Sequence, residues 1–218
     1  MSGPFRVGFC VSGGGRLFRA AANQSSRLGI APVLVIGETG CAGDLETFCA
    51  ERLISFARLD ARDRARFDEE VTQLCVGARL DLLCLTFDRI IPAGLVEHYR
   101  SRIINVHLAL LPAFKGKAGL RQAIDFGARF AGATIHEVDE EVDHGAVIAQ
   151  CVVGVRRSDT PEIIGTRLFG LLRLMFLQVL RWYSCGRVAK DDRGRVWVKD
   201  AVYGELPISP SLEDSFPD

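Results

Sequence analysis

An asparagine and a histidine one residue apart, Asn105 and His107, together with a downstream aspartate, Asp143, form the constellation best suited to chemistry in this 218-residue chain. Asn105-Val106-His107 ends an apolar run, so strand alternation sends both polar side chains to one side, at the carboxyl edge of a sheet. An amide donor beside an imidazole suits the oxyanion that develops when a nucleophile attacks a carbonyl. A carboxylate at Asp143 can hold a histidine in its useful tautomer and accept a proton in transit. On their own, Asn105 and His107 together are more ordinarily structural, satisfying backbone groups where strand meets loop, and acids in turns are usually only solvated. The combination is what points to acyl-type chemistry. A second candidate is the run Ser12, Gly13, Gly14, Gly15 and Arg16, which follows the first strand and opens a helix. Backbone N–H groups and the helix dipole favour an anion there. It is not a dinucleotide fingerprint, because Phe18 stands where the third glycine belongs, and no Lys-Ser/Thr pair follows to make it a Walker loop. A plain strand-to-helix turn explains it equally well.

These residues need a scaffold. Valine- and isoleucine-rich runs at 7–11, 31–36, 54–59, 82–86 and 103–106 alternate with helical patterns from about residue 17, over 42–52 and 61–78, and after Pro92. That alternation predicts a doubly wound α/β fold with a mostly parallel sheet, and the strands lack polar alternation as expected when helices cover both faces. Beyond residue 106 the pattern predicts a loop, a helix over 119–127, and strands over 132–138 and 146–155 flanking an acidic turn over 139–145 that carries Asp143. A long apolar helix, capped by Thr160-Pro161 and ending near Gly186, follows. Its Arg167, Gly170 and Arg173 argue for a core helix over a membrane span. Residues 186–199 read as a small hairpin, and three prolines with scattered acids suggest a poorly ordered tail from Gly204. The expected division is a catalytic domain over residues 1–186 and a hairpin with tail over 187–218.

Composition narrows the partners. Lysine plus arginine and aspartate plus glutamate are both 27, so no global field favours nucleic acid or an anionic membrane, and a small-molecule partner is expected. The seven cysteines show no C-x-x-C pair and no zinc-ligand spacing, so no metal site is expected. They read as buried small hydrophobes in a reducing compartment, and with no signal-peptide pattern at the N-terminus a cytoplasmic location is expected.

Three stretches then carry a resemblance. NVHLALLPAFKG at 105–116 is similar to N-[IV]-H-x-S-x-L-P-x-[FWY]-x-G, and GATIHEVD at 132–139 and VDHGAVI at 142–148 extend the likeness. The chain resembles the folate-dependent formyltransferases from about residue 6 to residue 199. The resemblance implies that Asn105, His107 and Asp143 are the catalytic set, with 10-formyltetrahydrofolate as formyl donor and an amine as acceptor. It implies cofactor contacts from Phe87, Asp88, Arg89, Ile90 and Ile91 and from Glu140, Glu141, Val142, His144 and Gly145. It assigns the acceptor to Ser12, Gly13, Gly14, Gly15 and Arg16. The pattern is nearest to glycinamide ribonucleotide transformylases, including the ending GRVWVK at 194–199. It departs from them where SGGGRL at 12–17 replaces S-G-x-G-S-N and where Phe169 and Leu172 fall at a lysine and a glutamate of the acceptor site. Lost donors to a charged partner weaken binding by about 1–3 kcal/mol each, so a small-molecule amine other than glycinamide ribonucleotide is expected. Smaller departures are Ala109 in place of serine and the shortened TFDR at 86–89. Glycinamide ribonucleotide formylation, formyltetrahydrofolate hydrolysis and a non-catalytic folate sensor are the alternatives. The hydrolases usually carry an N-terminal regulatory domain, and a first strand starting near residue 6 favours the transferase. Either a monomer or a homodimer is compatible with the pattern.

Overall fold

Short β-branched runs bounded by glycine and polar turns fold as strands in the computed structural model, which describes residues 3–217. Packing divides the chain into two units, one up to Asn105 and one from Val106. The first contains β1 (Phe5–Val11), α1 (Arg16–Asn23), α2 (Ser25–Leu28), β2 (Ile30–Glu38), α3 (Leu45–Ala50), β3 (Ser55–Leu59), α4 (Arg64–Ala78), β4 (Leu82–Thr86) and α5 (Ala93–His98), and closes on β5 (Ile103–His107). Its sheet is wholly parallel in the order β5-β4-β1-β2-β3. Val7, Phe9, Val11, Leu82, Leu83 and Ile103 are all buried, consistent with a sheet covered on both faces. The turn after β1 and the turns after β2 and β4 therefore lie at one carboxyl edge.

Local sequence sets the element ends. Asp63 caps α4 by accepting the Arg66 N–H at 3.1 Å, which starts that helix three residues later than its charge pattern suggests. The helix expected over 42–52 is shorter, because the Ala42 N–H turns back to the Gly13 carbonyl at 2.9 Å and Leu53 takes a positive φ of 56°.

The second unit holds α6 (Gly119–Phe126), β6 (Phe130–Glu137), β7 (Val147–Gly154), α7 (Pro161–Ser184), β8 (Val188–Lys190), β9 (Val196–Val198) and β10 (Ile208–Ser209). β6 and β7 are antiparallel, β10 adds antiparallel to β7, and β8 and β9 form the small hairpin expected from the sequence. The fold is thus α/β and mostly parallel, with a C-terminal hairpin. Thr160 caps α7 and Pro161 takes its first turn, as read from the sequence. By length and composition alone, α7 could cross a membrane. Its Leu168, Met175, Phe176, Leu177 and Leu180 are buried, and the helix packs on β6, β7 and α6, which is the behaviour of a core helix.

The tail corrects an expectation. Residues 204–217 are docked: Ile208 and Phe216 are buried, and the fully buried Gln178 of α7 accepts the Glu213 and Asp214 N–H groups at 3.0 and 2.9 Å. Its amide donates in turn to Asp214 Oδ2 at 3.2 Å. Composition alone hid a clamp that depends on one glutamine far away in sequence.

Candidate active site

His107 ends β5 and is buried, and the loop that follows it is built to hold its ring. Thr134 Oγ on β6 donates to the Ala109 carbonyl at 2.7 Å and accepts the Leu111 N–H at 3.1 Å. Gln150 on β7 reaches the same hydroxyl and the Leu111 carbonyl, both at 2.9 Å. The loop then runs through positive φ at Phe114 (55°), Gly116 (79°) and Ala118 (59°), and the two non-glycine residues carry backbone strain of the kind that gathers at functional sites.

Both imidazole nitrogens of His107 face groups that only accept. Nε2 lies 3.1 Å from the Phe114 carbonyl, and Nδ1 lies 3.4 Å from Asp143 Oδ2. Asp143 is itself buried, in the left-handed region at φ 54°, and Oδ2 also accepts the Gly116 N–H at 2.8 Å. The acidic turn that carries it is closed by Gly145. A Cβ there would lie 1.9 Å from the Glu137 carbonyl oxygen, so only glycine lets the turn return this close to β6.

A residue not singled out from the sequence completes the cluster. His136, on the same face of β6 as Thr134, is buried, and its Nε2 lies 3.7 Å from Asp143 Oδ1. Its Nδ1 is 2.8 Å from the Glu137 carbonyl, which can only accept, so Nδ1 carries a hydrogen. Burial pushes the His136 imidazole below its ordinary value, favouring the neutral form. Strand alternation from Thr134 was the available signal for it.

The other expected residues are placed as follows. Asn105 lies two residues before His107 on β5, half-buried and in register with Leu85 of β4. Phe87 and Ile91 are buried, Phe87 against the Phe67 ring, while Asp88, Arg89 and Ile90 are exposed, and Arg89 pairs with Glu38 at 3.0 Å. Glu140, Glu141, Val142 and His144 are exposed on the acidic turn, with His144 Nδ1 3.6 Å from Asp139. Ser12, Gly13, Gly14 and Arg16 are exposed and Gly15 is buried, and Arg19 holds the loop through the Gly14 carbonyl at 2.9 Å. Among the described residues no cluster of metal ligands occurs.

His107 thus lies buried against Asp143, with Asn105 two residues before it on β5 and the positive-φ loop after it. A profile described as formyl transferase matches residues 5–180. The chain belongs to the formyl transferase family. Similar members include the trifunctional purine biosynthetic protein adenosine-3 of Chironomus tentans, 30% identical over 86% of this chain. The chain spans only 14% of that protein's length. A phosphoribosylglycinamide formyltransferase from Anaplasma phagocytophilum superposes with a TM-score of 0.81 over 98% of both chains at 27% identity. A formyltetrahydrofolate deformylase from Pseudomonas syringae pv. tomato gives 0.83 at 26% identity, covering 91% of this chain and 67% of that one. In this formyl transferase family the one-carbon donor is 10-formyltetrahydrofolate.

Proposed function

We propose that this chain transfers the formyl group of 10-formyltetrahydrofolate to the primary amine of an anionic small molecule, with glycinamide ribonucleotide as the first candidate. The observation that carries the reaction is the buried His107, whose two nitrogens both face acceptors. In the transfer a bond forms from the amine nitrogen to the formyl carbon, the bond from that carbon to the folate nitrogen breaks, and one proton moves between the two nitrogens. His107 supplies positive charge to the developing oxyanion, its Nε2–H exchanging the Phe114 carbonyl for the substrate oxygen, and Asn105 adds an amide donor. Asp143 keeps the imidazolium paired and, with Nε2 of His136 beside it, offers a place for the travelling proton. The exposed Val142, one residue before Asp143, offers apolar surface to a flat pterin ring.

For the acceptor, the names carried by the relatives support glycinamide ribonucleotide over the altered amine expected from the sequence. The glycine loop supports an anion in either case. Positions 13 and 14 have nothing within 4 Å of where a Cβ would sit, so their backbone is open to a phosphate or carboxylate before α1. A second reading, a different anionic amine, is favoured by one observation: Leu17 and Leu172, which replace polar groups of the acceptor site, are both buried in the core. The deciding experiment follows the folate absorbance change with glycinamide ribonucleotide, amino acids, hydroxylated amines and nucleotide-linked amino sugars. Turnover with glycinamide ribonucleotide is expected. Turnover only with another amine establishes the second reading, turnover with water alone makes the chain a hydrolase, and none at all removes the proposal.

A further inference from the structure

Alternation along β6 points Glu137 away from the face that bears Thr134 and His136, onto the side of Ala133 and Ile135, both fully buried. An apolar residue would suit that face. Instead a carboxylate sits there with its side chain 7% exposed, and its Oε2 lies 2.5 Å from Nζ of Lys190 on β8. Burying a carboxylate is costly unless a cation accompanies it, so the pair is a built feature of how the hairpin, through β9, packs on β7.

The backbone of the same residue belongs to the catalytic cluster. Its carbonyl takes the His136 Nδ1–H at 2.8 Å, its N–H donates to the Ala146 carbonyl at 2.9 Å, and Gly145 makes its close approach to that carbonyl. One residue therefore joins the His136 ring to the turn that presents Asp143, while its side chain is fastened to the hairpin. We propose that the Lys190–Glu137 pair is a positioning latch: it fixes the end of β6 so that His136 keeps its Nε2 directed at Asp143 during formyl transfer. The latch rests on the formyl-transfer reading for its role in turnover, though its effect on His136 can be measured without substrate. The charged and titratable groups acting on His136 are Asp143, His107 and Asp139, with Glu137 and Lys190 behind the strand.

The test compares Lys190→Arg with the double variant Glu137→Met/Lys190→Met. The double variant removes both charges together, so the direct field on His136 changes little and a packed apolar pair supports folding. Imidazole titrations of His136 and His107 are read by NMR, beside kcat, KM for the acceptor and the thermal midpoint. The latch predicts that the double variant displaces the His136 titration from its wild-type position, because the ring loosens from its burial, from the Glu137 carbonyl and from Asp143. It also predicts a fall in kcat of about tenfold with little change in KM, and wild-type behaviour in Lys190→Arg. A double variant with wild-type titrations and kcat, whatever its thermal midpoint, overturns the latch. If the wild-type protein transfers formyl to no acceptor, the function proposal fails, and the His136 titration still decides the latch.

Discussion

At the scale of single residues, the site rests on one carboxylate shared by two histidines. His107 faces the Phe114 carbonyl with Nε2 and Asp143 with Nδ1, while burial favours the neutral form of His136 and the Glu137 carbonyl fixes its Nδ1. Replacing His107 with alanine is expected to lower kcat about a hundredfold or more while circular dichroism stays native, because the donor proposed to face the oxyanion is lost. Asp143→Asn separates geometry from charge more cleanly. Asparagine tolerates the left-handed backbone at φ 54° and keeps an oxygen for the Gly116 N–H. We expect a thermal midpoint within about 3 °C of wild type and a loss of turnover on the order of a hundredfold. An unchanged kcat would remove Asp143 from the proton path. His136 also sets a pH limit. Because its folded value lies below the ordinary 6.5, the unfolded chain binds the extra proton first, so stability should fall as pH drops through that value. Denaturant midpoints across that range in wild type and His136→Phe test the sign, and the variant should lack this part of the acid loss.

At the scale of elements, what could be read in advance was what depends on local pattern. Strand runs, the hairpin around 192–194, the Thr160 cap and the placement of Asn105 and His107 at a strand end all follow from residues within a few positions of each other. Asp143 was legible through motif likeness, but the reason it can reach His107 was not: a glycine pressed onto a carbonyl and a positive φ are properties of two segments meeting. His136 was missed because its role is defined by partners seven residues ahead and by the neighbouring peptide. The tail was misread because a fully buried glutamine on α7 supplies its hydrogen bonds from 35 and 36 residues away. Gln178→Leu should therefore act as a tail-release substitution. Two N–H groups and a carboxylate lose their partner, a cost of about 1–3 kcal/mol in denaturant unfolding. Limited proteolysis should then cut within residues 204–217 well before the core. A variant whose tail resists protease as well as wild type would show that β10 and Phe216 hold the segment without the clamp.

For the molecule as a whole, the balanced charge leaves no net field, and the cysteines provide the chain-wide signature of the fold. Six of the seven thiols are buried and Cys185 is exposed, so one site should react with an aromatic disulfide reagent in the native state and the rest only on unfolding. Burial pushes Cys49 up to about 11 and Cys75 and Cys151 up to about 12, and moves Cys10 and Cys84 well above the ordinary 9.0. The consequence for stability has a definite sign. Above the ordinary value the unfolded thiols release protons that the folded thiols keep, the native state binds more protons, and stability must fall as pH rises. Each such thiol contributes a slope of about 1.4 kcal/mol per pH unit once its unfolded form is ionised. Urea midpoints measured at about pH 8 and about pH 10 should therefore differ steeply, with the higher pH less stable. Replacing Cys10 by alanine should flatten that alkaline slope by one thiol's share while lowering stability at neutral pH through the lost core volume. If the slope is unchanged in that variant, Cys10 ionises as readily in the folded chain as in the unfolded one, and the sealed interior beneath β1 and β4 is not as dry as its burial implies.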